Sequence, residues 1–356
     1  MLEALEARLG APFPPGYNPN VRCIRLNYDP VHAIHRPFLI YLCVLTMDFL
    51  LKLVLRFKGF RRYGRLPRSL PLAIFPSLSS LLSSSSVPEP EKSNQVTYWY
   101  RPGSSPPSSS FSSSPSSPPP KPIIFVHGIG IGILPYISFI LRLIRTITPS
   151  SSSSSSSSPA PIPPIYLVEL SEVAMRLNLN PSPTIPIVVT EMAMALTERG
   201  HHQAVWVGHS LGSSVVAGAC RWARESVAAT VFIDPICFLL HYPNVAWNFV
   251  HRRGIGADER FTEYFASREL SISRYISRDF QWWHSCVFAD QIPQGQNSSV
   301  YLSAQDALVP SARVKAYLEE HRIQTTMMPH GHAGFLFNSE WEIPISRRVL
   351  HLAQSS

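Results

Sequence analysis

Short apolar runs recur along the chain, and longer stretches with a helical spacing of apolar residues separate most of them. The runs are bounded by polar, glycine or proline residues, which is typical of strands buried on both faces of a sheet. We predict strands at residues 95–100, 123–126, 165–170, 204–207, 230–233, 300–303 and 323–327. We predict helices at residues 134–147, 192–199, 311–321 and 340–352. This alternation predicts an α/β domain whose mostly parallel sheet is covered by helices on both faces.

Two serine-rich tracts interrupt the alternation. Residues 104–120 are serine and proline apart from a single phenylalanine, and residues 150–158 are nine consecutive serines. Segments of this composition bury too little apolar surface to fold, so we expect two disordered loops inside the domain. Residues 66–93 are also rich in serine and proline and predict a linker. We therefore divide the chain into an N-terminal apolar and basic segment with its linker, residues 1–93, and the α/β domain, residues 94–356.

The first apolar block, residues 37–57, has the length of a helix and carries few charges. Asp48, Lys52 and Arg56 recur every fourth residue and so lie on one helix face, with the acid ahead of the bases. The remaining surface is apolar, which is typical of a helix that lies in a membrane interface or packs on the protein. A tilted transmembrane anchor is a further reading, because Lys52 and Arg56 can extend towards the headgroups.

Basic residues crowd beside this block. They are Arg56, Lys58, Arg61, Arg62, Arg65 and Arg68. A basic cluster next to an apolar helix favours an anionic lipid surface over nucleic acid, and no nucleic-acid-binding module is recognisable. We therefore expect residues 37–68 to associate with a membrane surface, and we expect no nucleic-acid partner. A solvated basic face is the simpler alternative.

Composition limits the classes of protein to which the chain can belong. The chain has 356 residues, a formal net charge of +8 and 45% hydrophobic residues, so it can bury a large core. Its five cysteines form no C-x-x-C pair, which argues against zinc and dithiol redox chemistry. Their odd number fits a reducing compartment. The first ten residues are acidic and do not resemble a secretory signal. We therefore expect a cytoplasmic α/β domain.

The strand at residues 204–207 leads into the pentapeptide Gly208-His209-Ser210-Leu211-Gly212 and then into a helix-compatible segment of small residues. A serine on so tight a turn has a strained backbone, and side chains at the glycine positions would collide with neighbouring elements. The N-terminus of the following helix directs backbone N–H groups at any anion that forms beside Ser210. Strand, G-x-S-x-G and helix together predict a nucleophile elbow. The alternative is an ordinary turn in which Ser210 caps the helix.

Chemically active residues also follow four of the other predicted strands. These are the glycine-rich loop at residues 127–132, then Asp234, Asp306 and the histidines His330 and His332. Because the carboxyl ends of parallel strands meet at one edge of a sheet, we expect these groups to lie near the serine turn. The glycine spacing of residues 127–132 fits neither a dinucleotide-binding loop nor a Walker loop.

The order nucleophile, acid, histidine at successive strand ends resembles the α/β-hydrolase family. The resemblance covers about residues 96–352, with the two serine tracts as insertions and the N-terminal helix outside it. It implies an α/β-hydrolase fold with a helical lid, which falls at residues 236–299. That segment contains twelve aromatic residues, which predict either a small lid core or an apolar wall for an acyl chain.

The resemblance also implies roles for individual residues. Ser210 is the expected nucleophile, His332 the base that takes its proton, and Asp306 the acid that orients the histidine. The backbone N–H groups of Leu211 and Ile129 are the expected oxyanion hole. No metal ion and no cofactor are implied.

Two of these assignments have alternatives. His332 follows a glycine and precedes a small residue, which is the usual setting in the family, but His330 is a second candidate for the base. Asp306 follows the penultimate predicted strand, but Asp234 is a second candidate for the acid, because some members draw it from the preceding strand. His127 and His209 are expected to be structural.

These observations predict a serine hydrolase that cleaves a carboxylic ester of an apolar, lipid-like acid through a covalent acyl-serine. An acyltransferase that uses the same triad is one alternative. The other is a catalytically silent α/β-hydrolase fold that binds a membrane or a protein.

Overall fold

The computed structural model describes residues 2–14, 16, 18–20, 23–64, 95–104, 119–145, 161–176 and 180–355. The linker predicted at residues 66–93, most of the tract at 104–120 and all of the tract at 150–158 lie outside the described residues. Arg65 and Arg68 of the basic cluster also lie outside them.

Eight strands form one central sheet. They are β1 Arg61–Gly64, β2 Thr97–Arg101, β3 Ile123–Val126, β4 Ile165–Glu169, β5 Ala204–His209, β6 Val227–Ile233, β7 Ser298–Ser303 and β8 Thr325–Met328. Their order is β1-β2-β4-β3-β5-β6-β7-β8. β2 is antiparallel to both β1 and β4, and every other neighbouring pair is parallel. The mostly parallel sheet predicted from the sequence is confirmed.

The described α-helices are α1 Leu2–Leu9, α2 Phe38–Phe57, α3 Ile137–Ile144, α4 Ile185–Thr197, α5 Gly212–Trp222, α6 Asn244–Ala246, α7 Ala257–Thr262, α8 Leu270–Arg274, α9 Trp282–Ser285, α10 Ser311–Glu320 and α11 Ser339–Gln354. The two longest of the described helices are α2 and α11, of 20 and 16 residues. α4 begins seven residues before the predicted start at 192, because Pro186 occupies its first turn, where a missing N–H is tolerated.

Apolar side chains form two cores, one on each face of the sheet. Ile124 and Val126 of β3 join the first core, and Ile123 and Phe125 join the second. This division follows from the alternation of side chains along a strand. Helices α4 and α5 cover the first core, and α3 and α11 cover the second. The predicted cover of helices on both faces is therefore confirmed.

Strand β1 was not predicted, because its residues carry no apolar run. It pairs with β2 from Arg61 opposite Tyr100 to Gly64 opposite Thr97. The N-terminal segment that we predicted to precede the α/β domain thus contributes a strand to the sheet.

Two of the three charged residues of α2, Asp48 and Lys52, face the protein rather than water, whereas Arg56 is exposed. The buried positions of this helix are Tyr41, Val44, Asp48, Leu51 and Leu55. Lys52 Nζ lies 2.6 Å from Asp48 Oδ2, which is the pair expected from their spacing. Asp48 also pairs with Arg176, whose guanidinium contacts Glu169 of β4. The inner face of α2 is therefore fixed to the sheet through a buried ion-pair network.

The predicted lid, residues 236–299, lies between β6 and β7, and its last two residues belong to β7. Short α-helices alternate in it with π-helical turns at Trp247–His251, Glu263–Ser267 and Tyr275–Asp279. The N-terminal segment is bonded to this lid. Arg36 Nη1 donates to the carbonyl oxygen of Arg268 at 2.8 Å, and the Tyr41 hydroxyl donates to Glu269 at 2.9 Å. No pattern in the sequence predicts this contact.

Candidate active site

Ser210 occupies the turn between β5 and α5 with a left-handed backbone, φ +51°. Residues other than glycine rarely adopt this backbone conformation, so the turn is strained. A Cβ at Gly208 would lie 2.6 Å from the carbonyl oxygen of Gly212, and one at Gly212 would meet the carbonyl oxygen of Val126. The close approach of these elements is the reason that both flanking positions are glycine.

Ser210, His332 and Asp306 form a continuous hydrogen-bonded chain. The Oγ atom of Ser210 lies 2.8 Å from Nε2 of His332, and Nδ1 of His332 lies 2.7 Å from Oδ2 of Asp306. Because an ionised carboxylate only accepts, Nδ1–H donates to Asp306 and leaves Nε2 free to accept the serine proton. Ser210 is 7% exposed and faces a cavity.

Asp306 is held in a polar turn at the end of β7. Its Oδ1 atom accepts hydrogen bonds from the backbone N–H groups of Leu308 at 2.7 Å and Val309 at 3.0 Å. Burial raises the pKa of Asp306, but the charge and hydrogen bond of His332 and these two N–H groups outweigh it, so the pKa is lowered overall. The carboxylate is therefore ionised beside the imidazole.

The environment of His332 favours its protonated form. Burial lowers the pKa of His332, but the charge of Asp306, its hydrogen bond and the charge of Asp234 together raise it to about 9. The two carboxylates thus stabilise the imidazolium that forms when His332 accepts a proton.

Asp234, the alternative acid, makes a different set of contacts. Its Oδ1 atom accepts from the N–H of Ser303 at 2.8 Å, and its Oδ2 atom accepts from the N–H of Ala333 at 2.9 Å. These bonds join the end of β6 to the end of β7 and to the loop that carries His332. Asp234 therefore fixes the loop rather than the imidazole ring.

Asp234, Asp306 and His332 are also the group among the described residues whose spacing would suit a metal ion, since their ligand atoms lie within 4.8 Å of one another. All four carboxylate oxygens already accept hydrogen bonds. A metal ion bound by Nδ1 of His332 would break its contact with Asp306.

His330, the alternative base, lies apart from the serine. Its Nδ1 atom is 3.2 Å from Ser303 Oγ and 3.2 Å from the carbonyl oxygen of Gly331. Its ring packs edge-on against Trp341. The arrangement brings His332, and not His330, into contact with Ser210.

A second buried polar chain runs beside the first, and the sequence did not reveal it. The Tyr136 hydroxyl accepts from the N–H of Gly128 at 3.0 Å and lies 2.6 Å from Nδ1 of His209. Donation of the phenol proton to Nδ1 of His209 pairs both atoms while the phenol oxygen accepts from Gly128. The remaining nitrogen, Nε2, faces Oδ2 of Asp234 at 3.9 Å. Burial lowers the pKa of His209 well below its ordinary value, so its ring is neutral.

His127 is likewise occupied by backbone contacts. Its Nε2 accepts from the N–H of Leu170 at 3.0 Å, and its Nδ1 donates to the carbonyl oxygen of Gly128 at 2.7 Å. Burial lowers the pKa of His127 to about 4. Both ring nitrogens serve to hold the loop at residues 127–132.

Two backbone N–H groups beside Ser210 have no acceptor among the described residues. They belong to Ile129, next to the anchored Gly128, and to Leu211, at the start of α5. Both residues line the cavity together with Ser210 and His332. Unpaired N–H groups at a helix N-terminus favour an anion.

The cavity has a volume of about 1400 Å³ and mostly apolar walls. Much of this wall comes from three parts of the chain: α2, the lid, and the loop after His332. Apolar lining residues include Leu39, Met47, Tyr242, Phe249, Phe261, Phe265, Phe280, Trp282, Leu336 and Phe337.

Comparison with known proteins identifies the fold. No protein-family model matches the chain, and no curated protein matches it. Among solved structures, a thermophilic esterase from Thermogutta terrifontis is 12% identical with a TM-score of 0.50, over 83% of this chain and 100% of that chain. A membrane phospholipase A, a bacterial virulence factor, is 11% identical with a TM-score of 0.51, over 89% of this chain and 95% of that chain.

At these identities the likeness is one of fold. Together with the sheet order, it places the chain among proteins with the α/β-hydrolase fold, which confirms the fold predicted from the sequence.

Proposed function

We propose that this protein is a serine hydrolase that cleaves a carboxylic ester of an apolar, lipid-like acid through a covalent acyl-serine. The observation that carries the proposal is the chain of contacts from Ser210 through His332 to Asp306 at 2.8 and 2.7 Å, at the wall of an apolar cavity.

The reaction follows from the positions of the atoms. Ser210 Oγ attacks the ester carbonyl carbon while His332 Nε2 takes its proton, and Asp306 stabilises the resulting imidazolium. The oxygen of the tetrahedral intermediate accepts from the N–H groups of Ile129 and Leu211. The C–O bond to the alcohol then breaks, and His332 returns the proton to the leaving oxygen.

Water completes the cycle. His332 removes a proton from a water molecule, which attacks the acyl carbon. The C–O bond to Ser210 then breaks to release the free acid, and His332 returns the proton to Ser210 Oγ. If an alcohol takes the place of water, the same steps make a new ester. Analysis of the products therefore separates hydrolysis from acyl transfer.

The cavity supports an apolar acyl group. Its volume of about 1400 Å³ is larger than the roughly 300–1,000 Å³ that is common for small-molecule sites. Aromatic and aliphatic side chains line it, and burying them with an acyl chain excludes water from the reacting ester. The two structural neighbours, an esterase and a phospholipase A, support ester hydrolysis. Five unpaired cysteines support a cytoplasmic catalytic domain.

A fluorophosphonate probe tests the nucleophile directly. We expect labelling of the wild type and none of Ser210→Ala. Ser214→Ala is the matched control, because the Ser214 hydroxyl is buried on α5, the helix that follows Ser210, and has no hydrogen-bond partner among the described residues. Rates on p-nitrophenyl esters of increasing chain length then test the acyl preference. A folded protein that neither reacts with the probe nor hydrolyses any ester would point to the silent binding module instead.

A further inference from the structure

The geometry points to a membrane-docking surface made of the outer face of α2 and the mouth of the cavity. We propose that α2 lies parallel to an anionic lipid bilayer without crossing it, and that the cavity opens into the lipid. The second half of the proposal, that substrate enters from the bilayer, rests on the proposed function; the first half does not.

The outer face of α2 is apolar and uncovered. Its exposed side chains are Phe38, Leu39, Leu42, Met47, Phe49, Leu50, Val54 and Phe57, between 38% and 87% exposed. A continuous apolar face of this kind on a soluble domain marks a site of interaction. The helix reaches a mean hydropathy of 2.2 and is the one helix among the described residues that is long and apolar enough to cross a bilayer.

The inner face of α2 argues against a spanning orientation. Asp48 and Lys52 are part of a buried network with Arg176 and Glu169. Drawing the helix into the bilayer would expose Asp48 to hydrocarbon and leave Arg176 without its partner inside the domain, and unpaired buried charges are costly. Hydrogen bonds from Arg36 and Tyr41 to the lid hold the other end of the segment. The helix therefore presents its outer face while it stays attached to the sheet.

Charge at the end of α2 selects an anionic lipid surface. Lys58 and Arg61 are exposed just beyond the helix. Between residues 30 and 62 the single acidic residue is Asp48, which is buried in the ion-pair network. The outer face thus carries apolar and basic groups without an exposed acid, which is the composition that binds anionic headgroups.

The mouth of the cavity continues this surface. Leu39 and Met47 of α2, Phe261 of the lid and Phe337 after His332 all line the cavity and are 44% to 90% exposed. An ester in the bilayer can pass over this apolar rim without crossing water. A second copy of the chain on the same face would close the mouth, whereas a bilayer supplies substrate through it. We therefore take lipid as the occupant.

Binding of the full-length protein to vesicles tests the proposal. Leu42→Ser with Leu50→Ser removes two exposed side chains that do not line the cavity. We expect this double variant to bind phosphatidylcholine–phosphatidylserine vesicles roughly tenfold more weakly. Met194→Ser with Phe288→Ser is the matched control, because these side chains are 43% and 48% exposed and lie outside the cavity. It should bind like the wild type.

Lys58→Gln with Arg61→Gln tests the charge contribution. This variant should lose affinity for vesicles that contain phosphatidylserine and keep its weaker affinity for pure phosphatidylcholine. The difference should shrink at high salt, because exposed charges are screened. Circular dichroism and thermal unfolding check that each variant is folded.

The outcomes separate the claims. Vesicle binding that is unchanged in the Leu42 and Leu50 variant overturns the docking surface, as does concentration-dependent self-association that this variant abolishes in the absence of lipid. Protein that resists extraction by alkaline carbonate overturns the parallel orientation and indicates a spanning helix. Hydrolysis of a soluble short-chain ester should be the same in the variant and the wild type. If vesicle binding behaves as expected but no ester is cleaved, the proposed function fails and the docking surface stands.

Discussion

Tyr136→Phe tests whether the second buried polar chain positions the oxyanion loop. The ring of Tyr136 is 3% exposed and packs between Phe125 and His209, with ring centroids 5.0 and 5.6 Å away. Phenylalanine preserves this packing and removes only the hydroxyl. The change leaves two buried groups unpaired: the N–H of Gly128, which donates at 3.0 Å, and Nδ1 of His209, at 2.6 Å.

The structure sets the size of the effect. A buried polar group that loses its partner costs about 1–3 kcal/mol, so for two such groups we expect the free energy of unfolding to fall by about 2–6 kcal/mol. Gly128 adjoins Ile129, whose N–H is a proposed oxyanion donor. Complete loss of one such donor lowers kcat by roughly 10²–10³. Since the donor is displaced rather than removed, we expect kcat to fall about 10- to 100-fold with little change in KM.

Two measurements check this expectation: steady-state hydrolysis of a soluble ester, and unfolding in urea followed by circular dichroism. Tyr166→Phe is the matched control. The Tyr166 hydroxyl is also buried, but it makes one long bond of 3.5 Å to the carbonyl oxygen of Ala195 and does not line the cavity. Its loss should leave kcat unchanged. If Tyr136→Phe is destabilised yet keeps the wild-type kcat, the second chain supports the fold alone and the positioning role is refuted.

Three further substitutions test the other contacts. His332 must be neutral to accept a proton, so kcat/KM should rise with pH through a midpoint above the ordinary histidine pKa, because the carboxylates raise the pKa of His332 to about 9. Asp306→Asn should lower this midpoint and reduce kcat by roughly 10⁴; an unmoved midpoint would contradict the pairing. Asp234→Asn should lower the midpoint by less, since its charge contributes less to the pKa; a larger shift than that of Asp306→Asn would reverse the assignment of the acid. Arg176→Met should destabilise the fold by about 3 kcal/mol in urea, because Asp48 loses a buried partner; unchanged stability would mean that the network does not hold α2.

The fold was predictable where burial leaves a pattern in the sequence. The residues of β3 are buried on both faces, so every position is apolar and the strand is predicted with its observed bounds. β1 escaped prediction because Arg61, Arg62 and Gly64 give no such signal. Arg62 is tolerated there because its guanidinium lies 3.6 Å from Glu169 of β4, a partner more than 100 residues away. A strand that depends on long-range charge pairing therefore cannot be predicted from a local sequence pattern.

The site was predictable only in part. Ser210 lies in a motif whose glycines have a steric cause, and its turn could be placed from the sequence. The choice of His332 over His330 depends on the orientation of the loop that carries both histidines. The hydrogen bond from the N–H of Ala333 to Asp234 fixes that orientation. Tyr136 carries no motif and reaches Gly128 and His209 only in the folded chain. A contact that a single residue makes only in the folded chain leaves no pattern in the sequence.

Tertiary contacts that no local pattern predicts also change the interpretation of the N-terminal segment. If residues 1–68 were a membrane anchor beside an independent domain, their deletion would leave the domain folded and release it from lipid. In the structure this deletion would remove edge strand β1, the α2 wall of the cavity and the Asp48 partner of Arg176. Loss of lipid binding after such a truncation would therefore follow from damage to the domain as readily as from loss of an anchor. Substitutions on the outer face of α2 leave these contacts in place, so they separate attachment to the membrane from integrity of the candidate active site.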